Sequence, residues 1–291
     1  MSSDRRRAHV TVIGDDKGGV IARICSFLFD CGGNIEELDQ HVTHGLFTMH
    51  LDVSWPATGH TQEDMKSGLD GLATELGMEI LFNPSPGDKR RLAILVTREE
   101  HAPRAVLEAL AAGDLDAEPV VMIGNKPDLQ ELGHEFGVPF YYVDDADKPA
   151  HEKRVLELLQ QYDSDVVVLA RYMRILSPNF VWRYPHRIVN IHPSLLPAFP
   201  GAVPYRQAVQ RGVRVAGVTS HLVTMDLDQG PILEQASFRI EPSDTVKQVV
   251  AKGQKLESEV LLGGLKMILD DQVEVGWGRT WMRGDDPPAT S

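Results

Sequence analysis

The spacing of hydrophobic and polar positions divides the chain into two regions with different orders of elements. In the first region, short apolar and β-branched runs predict strands over 8–13, 34–42, 46–53 and 78–82. Apolar residues at helical spacing predict helices over 19–30 and 61–76, with Thr61 capping the second helix. His44 and Gly45 are expected to form a tight turn between the middle strands. The resulting order, βαββαβ, is that of the ferredoxin-like fold.

The second region alternates strands with helices, as in a doubly wound, mostly parallel α/β sheet. Strands are predicted over 92–96, 119–123, 140–143, 166–170, 187–191 and 214–218, with an edge strand over 232–240. Helices are predicted over 102–112, 127–136, 150–161, 178–182 and 204–211, and a long final helix ends near 269. Ser177 is the expected cap of the short helix, and Ser243 with Asp244 that of the final one. The tail from Gly276 to Ser291 is too polar to be expected in the packed core.

The segment between the two regions is the predicted linker. Residues 83–88 contain two prolines and a glycine, which break both helix and strand. We therefore expect an amino-terminal domain over 1–86 and a second domain over 87–291. At 291 residues, the chain is long enough for each domain to bury its own core.

Composition and charge narrow the possible functions and location. A formal net charge of -13 argues against a nucleic-acid partner, because phosphate binding needs a basic surface. No run is long and apolar enough to predict a membrane span, and residues 2–7 lead into a strand without a signal-peptide core. The only cysteines, Cys25 and Cys31, fit reduced thiols better than a disulfide. We therefore expect a cytoplasmic protein.

The most informative polar residues lie at the carboxyl end of the predicted strand that Pro193 stops. Asn190 and His192 lie two positions apart, so their side chains point to the same side of the strand at its carboxyl end. Asp228 precedes a Gly-Pro turn from which it can return to the same cleft. An amide that stabilises an oxyanion beside an imidazole that moves protons suits attack on a carbonyl. A turn-forming Asn190, a strand-end His192 and a capping Asp228 remain the alternative.

These residue types do not predict a metal site. The group around Asn190 offers one imidazole and one carboxylate, without the further ligands that a metal needs. His41 and His44 flank a hairpin turn without acidic or thiol neighbours, so we expect solvated or pairing roles for them.

Two motifs resemble a known enzyme family. Residues 190–197 (NIHPSLLP) and 228–232 (DQGPI) look like the signature of formyltransferases that use 10-formyltetrahydrofolate. The resemblance implies that Asn190, His192 and Asp228 are the catalytic residues. It also implies pterin contacts from the loops, at Met173, Ile175, Leu176, Val223 and Thr224. His221 is expected to be a substrate contact or a buried structural residue. The folate is then the substrate, and no cofactor is expected.

The amino-terminal region resembles an ACT domain, a module that senses small molecules. The resemblance covers most of residues 8–83 and rests on the turn at 16–20 and on the entry to the second strand at 33–35. It implies an amino-acid effector held by Asp16, Gly19 and Asn34, on loops expected to meet at one end of the sheet. It also implies a homo-oligomer. A turn without any ligand, in a domain that serves assembly alone, is the alternative.

Within the formyltransferase family, the chain is most similar to formyltetrahydrofolate deformylases. The ACT-like region and the phrases at 169–178 (LARYMRILSP) and 197–202 (PAFPGA) carry this resemblance. One departure from the deformylase pattern is Pro193-Ser194-Leu195. Deformylases usually have a second histidine and a phenylalanine at this point, whereas the transferases have the sequence found here.

The acceptor of the formyl group is the remaining choice. Residues 96–103 form the turn that holds a phosphate in glycinamide ribonucleotide transferases, but here the turn lacks glycine and carries Glu99 and Glu100. Nor does a basic carboxyl-terminal domain follow for an initiator tRNA. Water is the expected acceptor, giving formate for purine synthesis and balancing the folate pool. The alternatives are a glycinamide ribonucleotide formyltransferase and an amino-acid-sensing binding protein with an inactive enzyme domain.

Overall fold

A computed structural model gives the structure of the chain and describes residues 5–43, 45–84, 89–276 and 278–287. The chain divides into two compact units, Met1–Gly87 and Asp88–Ser291. His44 of the expected turn, residues 85–88 of the expected linker and residues 288–291 of the tail lie outside the described residues. The predicted domain boundary between residues 86 and 87 also lies outside the described residues.

The first unit is a four-stranded antiparallel sheet with two helices. Its elements are β1 (Arg5–Asp15), α1 (Val20–Asp30), β2 (Asn34–Thr43), β3 (Leu46–Pro56), α2 (Gln62–Leu76) and β4 (Glu79–Pro84). The sheet order β2-β3-β1-β4 confirms the predicted ferredoxin-like plan. Alternate residues of the strands pack against the helices, and the core includes Val10, Met49, Trp55, Ile24 and Met65. Thr61 caps α2, as predicted, because Asp64 N donates to its Oγ1 at 3.1 Å.

The predicted effector residues do not meet at one end of this sheet. Asp15 pairs with Leu46 at one end of β3, and Asp16 N donates to the Gly45 carbonyl there at 2.9 Å. Asn34 pairs with Ser54, eight residues further along β3, which corresponds to roughly 27 Å at about 3.4 Å per residue. Both β1 and β2 run antiparallel to β3, so the end of β1 and the start of β2 lie at opposite ends. The expectation that Asn34 joins Asp16 and Gly19 within one chain was therefore wrong.

The second unit is built around a seven-stranded sheet. The strands are β5 (Arg90–Val96), β6 (Ala117–Gly124), β7 (Phe140–Tyr142), β8 (Val166–Leu169), β9 (Ile188–His192), β10 (Val215–Leu222) and β11 (Ile232–Arg239). The helices are α3 (His101–Ala112), α4 (Gln130–Glu135), α5 (Lys148–Gln161), α6 (Pro178–Val181), α7 (Pro204–Gln210) and α8 (Val246–Leu269). A single 3-10 turn, Pro127–Leu129, precedes α4 where one helix was predicted.

The sheet order is β11-β10-β9-β8-β5-β6-β7. Strands β7, β6, β5, β8 and β9 are mutually parallel, whereas β10 is antiparallel to both β9 and β11. The sheet is thus mostly parallel, as predicted, with β11 at its edge. Apolar cores cover both faces, one centred on Ile94, Val168 and Leu261 and the other on Leu95, Val167 and Phe180. Ser177 Oγ accepts from Phe180 N at 3.3 Å, which confirms the predicted cap of α6.

Two predictions about the end of the chain were wrong. Thr245, not Ser243 or Asp244, caps α8: its Oγ1 accepts from Gln248 N at 3.3 Å, and Gln248 Oε1 accepts from Thr245 N at 2.9 Å, which forms a capping box. The Asp244 carboxylate instead accepts from Glu241 N at 2.8 Å in the preceding turn and from Lys252 Nζ of α8 at 2.6 Å. The tail is not wholly unpacked: β12 (Val273–Gly276) and β13 (Arg279–Met282) form a hairpin, and Thr280 Oγ1 donates to the Ile232 carbonyl.

The position of this cap can be tested by substitution. We expect Thr245→Ala to lower the free energy of unfolding by about 1 kcal/mol, because it removes the acceptor for an otherwise unpaired helix amide. Ser243→Ala, two residues earlier and without a cap bond to α8, is the matched control and should change stability much less. Urea unfolding followed by circular dichroism measures both values. Equal losses in the two variants would contradict the assignment.

Two further expectations concern the cysteines and the membrane. Cys25 and Cys31 are both free, one half-buried and the other buried. Among the described residues, no helix is both long and apolar enough to cross a membrane.

Candidate active site

Asn190, His192 and Asp228 come together, as the sequence predicted. Asn190 and His192 lie on the same side of β9, at and near its carboxyl end. The chain from Val223 to Pro231 begins level with Ile188, whose carbonyl accepts from Val223 N at 2.9 Å, and turns back so that Asp228 reaches His192. Asp228 has a left-handed backbone conformation (φ 56) within this loop. The three functional groups therefore share one cleft.

Asp228 contacts the imidazole of His192 directly. Its Oδ2 lies 3.3 Å from His192 Nδ1, and both side chains are more than nine-tenths buried. The same carboxylate oxygen accepts from Gly201 N at 2.7 Å, which fixes its position. A carboxylate this close to a buried ring stabilises positive charge on that ring. The sequence alone does not determine whether Asp228 meets the ring directly or through a water molecule, and the structure shows direct contact.

The second ring nitrogen of His192 also faces an oxygen. Nε2 lies 3.0 Å from the carbonyl of Phe199. A neutral imidazole carries one N–H, so either neutral tautomer directs a lone pair at one of the two oxygens. The doubly protonated ring donates to both the Asp228 carboxylate and the Phe199 carbonyl. The surroundings of His192 thus complement the imidazolium that would form when the ring takes a proton.

The loop that supplies Phe199 and Gly201 is held by polar contacts from neighbouring strands. Thr219 Oγ1, on β10, donates to the Ser194 carbonyl at 2.7 Å and accepts from Leu196 N at 3.0 Å. Gln235 Nε2, on β11, donates to the Leu196 carbonyl at 3.0 Å. The sequence did not predict that backbone groups of this loop contact the side chains of His192 and Asp228. The signal present in the sequence was the phrase at 197–202, which carries the family resemblance.

His221 orients the amide of Asn190. The two residues are direct partners in the antiparallel β9–β10 pair, and Asn190 Nδ2 lies 3.0 Å from His221 Nε2. His221 Nδ1 lies 2.9 Å from the Leu222 carbonyl, which can only accept, so the proton resides on Nδ1 and Nε2 accepts from Asn190. Burial lowers the pKa of His221, although the Leu222 carbonyl and Asp228 oppose this shift. The neutral ring therefore fixes which amide atom of Asn190 faces the cleft.

The lowered pKa of His221 predicts a pH-dependent stability. At pH values near and below 6.5, the ordinary pKa of histidine, His221 binds a proton more readily in the unfolded chain than in the folded one. The free energy of unfolding therefore falls as the pH decreases from about 7. His221→Gln keeps an acceptor for Asn190 but cannot titrate. We expect its stability to fall less than that of the wild type between pH 7.5 and 5.5.

Urea unfolding at both pH values measures this difference. His134→Gln, at an exposed position of α4, is the control and should follow the wild type. A pH dependence in His221→Gln equal to that of the wild type would show that His221 does not carry the effect.

Several apolar side chains on the loops predicted to bind the pterin are exposed. Met173 and Ile175 are 57% and 59% exposed, and Met225 and Leu227 in the loop that carries Asp228 are 43% and 47% exposed. Leu176 and Val223 instead pack partly against the core, and Thr224 Oγ1 donates to the Asp226 carbonyl at 3.4 Å. Exposed apolar groups on loops of one cleft mark a binding surface. Met225 and Leu227 were not predicted as side-chain contacts.

The described residues do not provide a set of ligands for a metal ion. Over 5–43, 45–84, 89–276 and 278–287, no group of three or more His, Cys, Asp or Glu side chains could hold a metal ion.

Comparisons with known proteins agree with both resemblances. Residues 90–265 match the formyl transferase family, and residues 7–83 match the ACT domain. A formyltetrahydrofolate deformylase from Bacillus subtilis is 38% identical over 271 residues, covering 91% of this chain and 90% of its own length.

Solved structures give the same picture. A formyltetrahydrofolate deformylase from Pseudomonas syringae pv. tomato superposes with a TM-score of 0.66 at 33% identity, covering 97% of this chain and 95% of its own. A glycinamide ribonucleotide transformylase from Symbiobacterium toebii has a TM-score of 0.65 at 31% identity, but covers only 68% of this chain and 95% of its own. The chain therefore belongs to the formyltetrahydrofolate deformylase family.

Proposed function

We propose that this chain hydrolyses 10-formyltetrahydrofolate to formate and tetrahydrofolate. The observation that carries the proposal is similarity to deformylases along nearly the whole chain, including the ACT domain, together with direct contact among the predicted catalytic groups. The transformylase similarity covers a smaller part of the chain. The hydrolase reading is therefore favoured over the transferase alternative.

Asn190 would stabilise the oxyanion that forms on the formyl oxygen. One N–H of its amide is used by His221, which leaves the other for the cleft. A preoriented donor of this kind contributes on the order of 3 kcal/mol to the stability of the transition state. Because His221 fixes the amide, no reorientation is needed as the charge develops.

His192 and Asp228 would move the protons. The oxygen of a water molecule bonds to the formyl carbon, and the bond from that carbon to N10 breaks. Asp228 accepts from Nδ1, so His192 would take a proton from the attacking water at Nε2, where that water replaces the Phe199 carbonyl, and would deliver one to N10 as it leaves. The imidazolium formed between these steps is stabilised by Asp228, whose Oδ2 lies 3.3 Å from Nδ1. The Asp228 carboxylate thus favours the positively charged form of the His192 ring.

The exposed apolar side chains would bind the pterin. Met173 and Ile175 follow β8, and Met225 and Leu227 precede Asp228, so they flank the cleft from two loops. Flat aromatic ligands gain affinity by covering such surfaces, while backbone groups near Val223 and Thr224 would give polar contacts.

Purified protein incubated with 10-formyltetrahydrofolate alone tests the proposal. We expect formate and tetrahydrofolate in equal amounts, in the presence of a strong chelator as well as in its absence. Turnover only after glycinamide ribonucleotide is added would support the transferase instead. Folate binding without turnover under either condition would support an inactive binding protein.

The released formate would serve purine synthesis, and the reaction would balance the one-carbon folate pool in the cytoplasm. A deletion strain tests this role: it should accumulate 10-formyltetrahydrofolate and depend on added formate or purine for normal growth. Growth and folate pools equal to those of the parent would contradict the role.

The ACT domain would bind a small amino acid at the turn before α1, in a homo-oligomer. Asp16 and Gly19 are exposed there, and Gly19 adopts a left-handed conformation (φ 91) that favours glycine. Glycine and methionine are the first ligands to test. Because Asn34 lies at the other end of the sheet, it could contribute to such a site only from a second chain.

Gly19→Val should abolish the response of formate release to the effector, because the left-handed backbone is strained for valine, while basal hydrolysis persists. The test is a titration of the common amino acids against both proteins, with the oligomeric state measured by light scattering. A monomeric wild type whose rate and melting temperature ignore every amino acid would contradict the proposal.

A further inference from the structure

A buried cluster of charged side chains joins the ends of β5 and β8 to α8. Glu257, on α8, is 1% exposed, and its Oε2 lies 2.9 Å from His101 Nε2 and 3.6 Å from Arg171 Nε. Its Oε1 accepts from Tyr205 OH at 2.9 Å. Arg171 Nη2 donates to Glu99 Oε1 at 2.9 Å, with its side chain only 14% exposed. We call Glu99, His101, Arg171 and Glu257 the charge cluster.

The charge cluster has no excess of positive charge. It contains two carboxylates, one guanidinium and one imidazole, so its net charge is -1 with neutral His101 and zero with protonated His101. Burial would raise the pKa of Glu99, but the hydrogen bond and charge of Arg171 outweigh it and hold that pKa below its ordinary value. Arg171 is therefore paired with carboxylates of its own chain through Nε and Nη2.

The cluster lies along the edge of the sheet that carries the catalytic residues. Leu169, the last residue of β8, pairs with Asn190 of β9, and Arg171 lies in the turn that follows β8 at this edge of the sheet. Glu99 follows β5, the next strand in the sheet, and the Met173 amide donates to Thr97 Oγ1 at 3.0 Å to join the two loops. The turns after β5 and β8 that carry the cluster thus lie at the carboxyl ends of parallel strands, the edge at which ligands bind in open α/β sheets.

The amino end of α3 at this edge is also occupied by negative charge. Such a helix terminus normally attracts a phosphate, through its free amides and dipole. Here Glu99 and Glu100 immediately precede α3, and Glu100 pairs with Arg104 at 2.6 Å. Arg98, the cation before them, lies 3.6 Å from Asp128. The amino end of α3 and the Arg98 side chain could each hold a phosphate, but both already face carboxylates of this chain.

We propose that Glu99 and Glu257 determine acceptor specificity by retaining Arg171 in an internal ion pair, which denies a phosphate-bearing acceptor its binding charge. The inference rests on the proposed function. The related transformylase acts, by its name, on a ribonucleotide and hence on a phosphate ester. Water needs no such charge, so this arrangement leaves hydrolysis intact and excludes transfer to a phosphorylated amine.

Glu99 offers the sharpest test, because it is the more exposed of the two carboxylates, at 39%. Glu99→Gln keeps a hydrogen-bonding side chain beside Arg171 and removes one negative charge. We expect it to bind ribose 5-phosphate at least tenfold more tightly than the wild type, measured by phosphorus NMR. Added ribose 5-phosphate should then slow formate release by this variant but not by the wild type.

Two matched variants and one uncharged ligand are the controls. Glu100→Gln makes the same charge change on the neighbouring residue, which pairs with Arg104 outside the cluster, and Glu99→Asp restores the charge. Glu99→Asp should bind ribose 5-phosphate as weakly as the wild type. Glu100→Gln should gain less affinity than Glu99→Gln, because Arg171 stays paired with Glu99 and Glu257, and ribose should bind none of the proteins detectably. Equal binding by Glu99→Gln and the wild type, or an equal gain in Glu100→Gln, would overturn the proposal.

Failure of the proposed function gives a different result. The NMR measurement needs no catalysis, so a wild type that releases no formate refutes the hydrolysis while the comparison of the variants still decides the role of the charge cluster.

Discussion

His192→Ala is expected to lower the rate of formate release by about 10²–10⁴-fold, the usual contribution of a positioned acid–base group. Asp228→Asn should have an effect in the same range, because the amide cannot stabilise the imidazolium that Asp228 contacts at 3.3 Å. Neither residue supplies the apolar surface expected to bind the pterin. Both variants should therefore still bind a folate analogue with near-normal affinity.

Single-turnover formate release and fluorescence titration with the analogue separate the two quantities. His134→Ala, at an exposed position on α4, is the control for removal of a histidine and should leave both unchanged. Near-normal turnover in either catalytic variant would show that the residues were assigned wrongly. If a variant lost analogue binding as well as formate release, the substituted residue would have a structural role instead.

Gly230→Ala is expected to lower both stability and activity. A Cβ at this position would lie 1.8 Å from the Leu222 carbonyl oxygen, a backbone atom that cannot rotate away. Overpacking of this kind costs about 1–3 kcal/mol. The loop must shift to relieve it, and Asp228 lies only two residues away. Because misplacing a catalytic group by about 1 Å can cost 10²-fold, we expect a rate loss of about that size.

Gly71→Ala is the matched control for this substitution. Gly71 lies within α2, and a Cβ there meets no atom within 4 Å. It should preserve activity and raise the helix propensity. Thermal unfolding and the formate assay measure both effects, and a Gly230→Ala protein as active as Gly71→Ala would contradict the account of the loop.

Several elements could be predicted from the sequence because their causes are local. Apolar spacing sets the helices, and β-branched runs set the strands of both units, so the βαββαβ order and the mostly parallel sheet followed from the pattern. Thr61 and Ser177 cap helices through atoms three residues away. Asn190 and His192 share a side of β9 because strand residues alternate. The α8 cap was predicted wrongly at Ser243 and Asp244, although the capping box of Thr245 with Gln248 is equally local.

The remaining features depend on residues that are distant in sequence, and only the tertiary structure decided them. Strand direction placed Asn34 at the opposite end of the sheet from Asp16. Register in the β9–β10 pair set His221 against Asn190, and the return of a loop brought Asp228 to His192. Glu257 reaches Arg171 from a helix that begins 75 residues later. The sequence by itself determined which residues could do the chemistry, because residue type and periodicity are local properties. Which atoms meet was decided by the packing of whole elements, because side-chain contacts across the fold depend on strand order, register and loop direction.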